Sequence, residues 1–195
     1  MDILIVTNPE DFYSFYQLLG TGKSFGVQLS YTFQTTAGGI ADAVYLAKDF
    51  VNGDKLIVLL GDNIFKESLV DHIETFKEQD SGAKVLLKEV SDPRRYGVAR
   101  IDEKKQTIIS IDEKPENPPS HYCVVGVYMY DSQIFDFIEQ ITPSRRGELE
   151  ITDVNNLYCS KAQLTYEILK DWWIDAGTHE ALYQANSFIF QEKHD

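Results

Sequence analysis

The sequence of 195 residues has no Gly-rich phosphate loop of either common spacing. It therefore lacks both of the usual sequence signatures of nucleotide-binding proteins. It also lacks any apolar run near the roughly 18–20 residues of a membrane-spanning helix, so we expect no membrane partner. With only two cysteines, Cys123 and Cys159, it cannot build a disulfide framework. Because the N-terminus has no basic region, we expect no signal peptide and a reduced, cytoplasmic protein.

Basic residues are also scarce, with 18 Lys and Arg against 31 Asp and Glu and a net charge of −13. This charge argues against a nucleic-acid partner, because a polyanion would be repelled. A phosphate ligand would need local Lys, Arg or metal ions to overcome the same repulsion. Neither a nucleophile motif nor a zinc-ligand cluster is present, so any chemistry would depend on charge stabilisation and positioning.

Hydrophobic periodicity predicts an α/β fold in a single domain covering residues 1–195. In the first half, strands alternate with helices, which predicts a mostly parallel sheet flanked by helices. Consecutive strands in the second half predict an antiparallel section, and the sheet is therefore mixed. The predicted strands are 3–7, 27–34, 56–60, 84–90, 98–101, 107–111, 123–130 and 164–169, and the predicted helices are 8–20 (capped by Asn8), 40–50, 66–79, 131–140, 148–159 and 178–191.

Asp62 follows the apolar run 56–60, where a buried strand ends in a turn. Open α/β sheets place ligand chemistry at such positions, so Asp62 is a candidate for binding a metal or a ribose. A turn residue that caps the next helix would explain it equally well, since Gly-Asp-Asn is good turn chemistry.

Asp175 follows Trp172 and Trp173, the only tryptophans in the chain, and precedes Gly177. An indole wall beside a carboxylate suits a sugar site, although core packing explains the tryptophans equally well. Asp62 and Asp175 could share one divalent ion and hold it against a phosphate.

Two basic positions are candidates for phosphate contacts. Lys114 precedes Pro115, which fixes the chain and could aim the ammonium group, although a solvated lysine is the ordinary alternative. Arg146 lies just before a predicted helix, where backbone N–H groups also attract anions, and a surface loop is the ordinary alternative.

Glycines in or beside strands can mark a close ligand approach, which makes Gly97 and Gly126 candidates. Tyr96 and Tyr128 flank them and could equally belong to the core. His179 is expected to be a structural hydrogen-bonding residue, and His72, His121 and His194 have no acid or thiol partner at a suggestive spacing in the sequence.

Seven segments, in order, resemble the sugar-phosphate nucleotidyltransferases, most closely the glucose-1-phosphate thymidylyltransferases. The resemblance covers essentially all 195 residues, and its most specific segment is Arg-Gly-Glu-Leu-Glu-Ile-Thr-Asp at 146–153. The other segments are Gln34 with 38–41, then 60–65, 92–98, 113–115, 125–128 and 173–179.

The resemblance implies transfer of a thymidylyl group from dTTP to glucose-1-phosphate, giving dTDP-glucose and pyrophosphate. This is nucleotide-sugar synthesis for cell-surface polysaccharide, as in the dTDP-rhamnose pathway. It implies Mg²⁺ held by Asp62 and Asp175, and catalytic roles for these two and for Lys114 and Arg146, which hold phosphate. It implies nucleotide contacts by Gln34, Gly38, Gly39 and Asp62, and sugar contacts by Tyr96, Gly97, Glu113, Lys114, Gly126, Tyr128 and Trp173.

The family's first strand and its Gly-x-Gly-Thr-Arg loop have no counterpart here, because the chain opens at what resembles the second strand. Two hypotheses follow: a thymidylyltransferase whose full-length form is the enzyme, or a paralogue that binds a sugar nucleotide or a partner subunit without catalysis. A metal-dependent glycosyltransferase is less favoured, because Asp62 is followed by Asn63 and Ile64 rather than by an Asp-x-Asp pattern. Thymidylyl or uridylyl preference stays open, and homo-oligomers are common in the family.

Overall fold

The computed structural model describes residues 1–192, which fold as two compact units. Unit 1 comprises Met1–Asp54 and Ser132–Val154, and unit 2 comprises Lys55–Asp131 and the chain from Asn155 onward. The single domain expected from the sequence stays a prediction. In chain order the elements are β1 (Asp2–Thr7), α1 (Phe12–Leu19), β2 (Gln28–Phe33), α2 (Ile40–Tyr45), α3 (Lys48–Val51), β3 (Leu56–Leu59), β4 (Asn63–Phe65), α4 (Val70–Glu78), β5 (Ala83–Glu89), β6 (Gly97–Asp102), β7 (Thr107–Glu113), β8 (Tyr122–Tyr130), α5 (Ile134–Ile138), α6 (Ile151–Ser160), β9 (Leu164–Ile168), β10 (Trp173–Asp175) and α7 (His179–Glu192).

In unit 1, β1 and β2 form a parallel pair that begins with Asp2 opposite Gln28. Parallel strands need a crossover connection, and α1 supplies it. The ring of Phe12 on α1 packs against Tyr31 and Phe33 of β2, with ring centroids 5.4 and 5.2 Å away. These aromatic contacts attach the helix to its sheet.

The rest of unit 1 is helical and contains its best-buried residues. Helix α2 packs on α5, and both present buried apolar side chains. Their spacing of three to four residues places them on one helical face. The buried residues are Ala41 and Val44 on α2, and Ile134, Phe135, Phe137 and Ile138 on α5.

Unit 2 is built on a six-stranded sheet in which β8 is central. The strand order is β7-β6-β8-β5-β9, and β3 also pairs with β8. Eight of the nine residues in β8 are buried, from Cys123 to Tyr130. A strand covered on both faces is expected to be apolar throughout, and this explains the continuous run Cys-Val-Val-Gly-Val-Tyr-Met-Tyr.

A second, two-stranded sheet in unit 2 joins β4 to β10, with Asp175 opposite Asn63 and Trp173 opposite Phe65. Phe65 and Trp173 pack against the buried core of unit 2. That core consists of Phe76, Leu86, Val125, Val127, Met129 and Leu169. The packing holds the short strands against β8 and so fixes the residues at their ends.

Several predicted helices begin late or divide. The helix expected from Asn8 begins at Phe12, because the Asn8 side chain accepts the N–H of Asp11 at 2.7 Å and closes a turn before the helix. The helix expected over 40–50 is α2 and α3, separated by a tight turn in which the N–H of Ala47 donates to the C=O of Val44 at 2.9 Å.

Backbone pairing explains the two other late helix starts. The helix expected over 66–79 begins at Val70, because 63–65 pair with β10 instead. The helix expected from 148 begins at Ile151, because the backbone of Leu149 is already bonded to the turn at 38–41.

The mixed α/β class predicted from the sequence is confirmed, with one correction of detail. Among the described residues, only β1–β2 and β5–β9 pair in parallel, whereas β3, β5 and β6 all run antiparallel to β8. The expectation of a mostly parallel sheet is therefore wrong at the level of strand pairs. Apolar periodicity indicates which faces are buried and contains no information on strand direction. Across residues 1–192, none of the helices combines the length and apolarity that crossing a bilayer requires.

Candidate active site

The two candidate metal ligands lie side by side because of the β4–β10 pairing. Asp62 immediately precedes β4, and Asp175 is the last residue of β10. The N–H of Ala176 donates to the backbone C=O of Asp62 at 2.7 Å, which extends the antiparallel pairing past Asp175. Residues far apart in the sequence are therefore adjacent in unit 2.

The carboxylates of Asp62 and Asp175 both face the backbone of Gly177. A Cβ at Gly177 would lie 3.2 Å from Asp62 Oδ2 and 3.1 Å from Asp175 Oδ1. The N–H of Gly177 donates to Asp175 Oδ1 at 3.1 Å. The absence of a side chain at this position therefore leaves one small volume that an oxygen from each acid borders.

This donor set fits Mg²⁺ better than a structural metal. No group of three or more His, Cys, Asp or Glu side chains arranged to hold a metal occurs within residues 1–192. Mg²⁺ usually binds through one or two carboxylates and completes its octahedron with water and substrate phosphates. Two converging carboxylates, with Asp62 exposed to solvent, match that requirement.

Aromatic rings of unit 2 lie beside the acidic pair. Trp173 and Tyr96 pack edge to face, with ring centroids 5.3 Å apart. Burial raises the pKa of the Tyr96 hydroxyl, and the negative charge of Asp175 adds to the effect. Burial likewise raises the pKa of Tyr128, and the charges of Glu113 and Asp62 add to it. Both phenols are therefore neutral hydrogen-bonding groups close to carboxylates.

Three more of the predicted residues lie at the open end of the β6–β7 hairpin. Gly97 is the register partner of Glu113, and the N–H of Lys114 donates to the C=O of Tyr96 at 3.0 Å. Lys114 has a φ of 44°, which is rare for a residue with a side chain, and it precedes Pro115. Its ammonium lies 3.9 Å from the Glu113 carboxylate. Strained backbone of this kind clusters at functional sites.

Gln34, Gly38 and Gly39 lie together in unit 1. Gln34 Nε2 donates to the C=O of Gly39 at 2.9 Å and to Asp42 Oδ2 at 2.8 Å. Gly39 has a φ of 93°, and a Cβ there would lie 3.0 Å from the backbone nitrogen of Leu149. The glycine is therefore required by packing inside the unit, whereas the resemblance implied only a nucleotide contact.

Arg146 is engaged by acids in unit 1. Its guanidinium donates to both oxygens of Glu150 at 2.9 Å and lies 3.4 Å from Glu148. A phosphate would have to compete with these carboxylates for the arginine. The sequence motif contains all three residues, but their pairing could be seen only in the structure.

Two residues that the sequence reasoning did not single out connect the candidates. Asp42 holds the amide of Gln34, as described above. The Asn63 side chain contacts Asp62, Gly126 and Trp173. Asn63 belongs to the motif Gly-Asp-Asn, which predicts a turn. Because asparagine is common in turns, the motif gave no reason to assign Asn63 a role in the site.

His72 has acid partners that the spacing of residues in the sequence does not reveal. Its two ring nitrogens face Glu67, which precedes α4, and Glu167 on β9. Burial raises the pKa of the Cys123 thiol to about 12 and that of Cys159 to about 11, so neither is a thiolate at neutral pH.

An open surface depression of about 480 Å³ lies elsewhere on unit 2, between the loops at 91–94 and 118–121. None of the predicted site residues lines it. Arg94 and Asp92 pair within the loop at 91–94, and this ion pair lowers the pKa of Asp92 to about 2. The converging acids and aromatic rings therefore identify the candidate site better than concavity does.

A mixed α/β fold with an acidic pair beside aromatic rings is compatible with a nucleotidyl-transferring enzyme. The chain belongs to the nucleotidyl transferase family, whose family model matches residues 1–192. A relative from Neisseria meningitidis, named glucose-1-phosphate thymidylyltransferase, is 41% identical over 191 residues. The match covers 96% of this chain and 66% of that relative, so the chain spans slightly less than two thirds of the relative's length.

Solved structures show the same similarity. A crystal structure of a Bacillus anthracis protein described as a glucose-1-phosphate thymidylyltransferase, in complex with sucrose, has a TM-score of 0.90 and 48% identity. The match covers 95% of this chain and 75% of that one. A UDP-glucose pyrophosphorylase complexed with UDP-glucose has a TM-score of 0.83 at 21% identity, covering 98% of this chain and 81% of that one, and it shows the fold alone.

Proposed function

We propose that this chain takes part in transferring a thymidylyl group from dTTP to glucose-1-phosphate. In this reaction a phosphate oxygen of glucose-1-phosphate attacks the α-phosphorus of dTTP, and a new P–O bond forms. The bond from the α-phosphorus to the β-phosphate bridging oxygen breaks, and pyrophosphate leaves with the electron pair. The products are dTDP-glucose and pyrophosphate. Because the attacking phosphate is already ionised, no general base is needed.

The convergence of Asp62 and Asp175 on Gly177 is the observation that carries this proposal. A bound Mg²⁺ would supply charge neutralisation between two anionic substrates that otherwise repel one another. Asp62 and Asp175 would hold it, and their carboxylates are acceptor-only groups suited to a hard cation. Names of relatives aligned over 96% of this chain support the same reaction.

The hexose is proposed to bind beside this pair. Trp173 and Tyr96 offer an apolar face, and Glu113 offers a carboxylate on the neighbouring hairpin. Sugars present apolar C–H faces and hydroxyl donors, so a ring wall next to a carboxylate suits them. Gly97, Gly126 and Tyr128 keep their predicted roles as sugar neighbours. Lys114 is proposed to bind the sugar phosphate.

The nucleobase is proposed to be read by Gln34 beside Gly38 and Gly39. Both N–H groups of the Gln34 amide have acceptors within unit 1, namely the Gly39 C=O and the Asp42 carboxylate. The amide oxygen is then the group left for a ligand. Thymine and uracil carry an N3–H donor that can meet it, whereas N3 of cytosine carries a lone pair. Among pyrimidine nucleotides, a Gln34 oxygen that faces ring position 3 therefore favours dTTP or UTP and does not choose between them.

A pyrophosphate-release assay with dTTP, glucose-1-phosphate and Mg²⁺ tests the proposal. We expect turnover that is lost in Asp62→Asn, with Asp92→Asn as a matched control that keeps its rate. Calorimetry that shows dTDP-glucose binding without turnover would support the non-catalytic alternative. A chain that neither turns over nor binds dTDP-glucose would contradict both.

A further inference from the structure

The Asn63 side chain lies between three groups of unit 2. Its Oδ1 accepts the backbone N–H of Gly126 at 2.9 Å and the indole N–H of Trp173 at 2.7 Å. Its Nδ2 donates to Asp62 Oδ1 at 2.8 Å. One amide therefore links β8, the aromatic wall and a proposed metal ligand.

Chemistry fixes the direction in which this amide points. Gly126 N–H and the Trp173 indole can only donate, and the Asp62 carboxylate can only accept when ionised. The opposite amide orientation would direct N–H groups at two donors and an oxygen at a carboxylate. Asparagine is therefore held in a single orientation by partners on both sides.

The backbone also reserves the space that this amide fills. A Cβ at Gly126 would lie 2.6 Å from Cγ and Oδ1 of Asn63 and 2.7 Å from Nδ2. A real Cβ essentially never lies within 3.0 Å of another side chain's heavy atoms, so position 126 must be glycine if Asn63 is to stay in place. The need for this glycine arises inside the protein and does not require a ligand.

We propose that Asn63 is a positioning residue that holds the Asp62 carboxylate toward the cation and the Trp173 indole toward the hexose. The inference rests on the proposed function, because the cation and the hexose belong to it. Asp62 Oδ1 is held by Asn63, and Oδ2 is the oxygen that borders Gly177. Loss of the amide would free both the carboxylate and the indole at once. Outer partners of metal ligands typically affect metal affinity 10–100-fold.

The first test uses the indole N–H signals in the ligand-free protein. The chain has two tryptophans, and Trp173→Phe identifies the Trp173 signal by its loss. In Asn63→Ala and Gly126→Ala we expect this signal to move upfield and to exchange faster with solvent, because its acceptor is lost or displaced. Gly61→Ala is the matched control, since a Cβ there meets nothing within 4 Å, and the signal should not change.

The second test is the affinity for Mn²⁺, measured by calorimetry as a probe of the Mg²⁺ site. We expect Asn63→Ala and Gly126→Ala to bind Mn²⁺ about 10-fold or more weakly, and Gly61→Ala to bind as the unchanged chain does. Gly126→Ala retains the asparagine itself, so agreement between the two variants isolates the position of the amide. Thermal melting of each variant reports whether it is folded.

Unchanged Mn²⁺ affinity in both folded variants would overturn the inference. An altered indole signal alone would then show that Asn63 packs against Trp173 without positioning Asp62 for the cation. If the unchanged chain does not bind Mn²⁺, the proposed cation site is wrong and the positioning role falls with it. That outcome differs from failure of the inference, because the indole signals would still respond to loss of the Asn63 amide.

Discussion

At the residue scale, side-chain amides in this protein are directed by groups that can only donate or only accept. Asn63 has donors on its oxygen side and Asp62 on its nitrogen side. Gln34 has two acceptors, Gly39 C=O and Asp42, on its nitrogen side. Such partners decide which amide atom remains for a ligand, and hence which ligands a site accepts.

Base selectivity should therefore depend on Asp42. In Asp42→Asn, the new amide can donate as well as accept, so Gln34 can turn its own amide over. We expect the preference for dTTP over dCTP, measured as the ratio of dissociation constants by calorimetry, to fall about tenfold. Asp49→Asn removes the same charge from exposed helix α3 and should leave the ratio unchanged. A ratio that survives Asp42→Asn would show that this carboxylate does not set the selectivity.

Lys114 is expected to lower the stability of the fold while it contributes to turnover. Its φ of 44° costs a residue with a Cβ about 1–2 kcal/mol, and the following proline restricts it further. Lys114→Gly should raise the free energy of unfolding by up to about 1 kcal/mol while it lowers turnover, because the ammonium is lost. Gln106→Gly, at a φ of 54° in the β6–β7 turn, should stabilise the chain without affecting turnover. Urea unfolding and initial rates measure both, and unchanged turnover in Lys114→Gly would remove this lysine from the site.

At the element scale, long periodic elements could be predicted from the sequence and the shortest could not. The apolar run of β8 identified that strand within one residue, because burial on both faces leaves a continuous signal. Strands β4 and β10, with three residues each, carry no readable period, and both exist because they pair with one another. This pairing brings Asp62 next to Asp175. The resemblance could therefore suggest the acidic pair, but the geometry of the pair could not be predicted from residue patterns.

A charged network between α4, β5 and β9 gives unit 2 an expected pH dependence. Lys84 is buried and donates to Glu167 at 2.6 Å, and His72 lies between Glu167 and Glu67. Burial acts to raise the pKa of Glu167, but hydrogen bonds from Lys84, His72 and Thr75 outweigh it and the net pKa is lowered. Burial also opposes the lowered pKa of Glu67, which backbone N–H donors and His72 produce.

Acid should weaken unit 2 through these two carboxylates. A lowered folded-state pKa contributes stability above the unfolded glutamate value of about 4.3, and this stability is lost as the pH falls through the folded-state pKa. We expect Glu167→Gln to lower the free energy of unfolding by about 2 kcal/mol at neutral pH, less than for a fully buried pair because Glu167 is partly exposed. Its acid dependence should be shallower than that of the unchanged chain.

Lys84→Met is the informative comparison for this network. It removes the buried charge and leaves Glu167 with access to water, so it should cost less stability than Glu167→Gln. Urea unfolding between about pH 3 and pH 7, values chosen to bracket the ordinary glutamate pKa of about 4.3, measures both variants. Equal losses in the two variants would contradict the view that an unpaired buried lysine dominates the cost.

At the scale of the whole molecule, helix α1 and its neighbourhood leave large apolar side chains in solvent. Tyr13 is 66% exposed, Leu18 76% and Phe25 60%. Large apolar side chains that are exposed to solvent favour association. We expect the chain to self-associate through this surface, and sedimentation should show a mass that rises with concentration.

Acidic substitutions on α1 should reverse that association. Tyr13→Glu combined with Leu18→Glu is expected to give the monomer mass at concentrations where the unchanged chain associates. Tyr183→Glu, at a residue 75% exposed on α7, is the matched control and should associate as before. Association that persists in the double variant would assign it to another surface.

One divalent cation is proposed to bind between Asp62 and Asp175, close to Trp173. Paramagnetic broadening of the Trp173 indole N–H signal by Mn²⁺ is the direct test, because the broadening falls steeply with distance and hydrogen bonds through Asn63 keep the indole near Asp62. We predict broadening at substoichiometric Mn²⁺, lost in Asp62→Asn and in Asp175→Asn and retained in Asp92→Asn. Broadening that persists when either acid is neutralised, or that is absent from the unchanged chain, would contradict the claim.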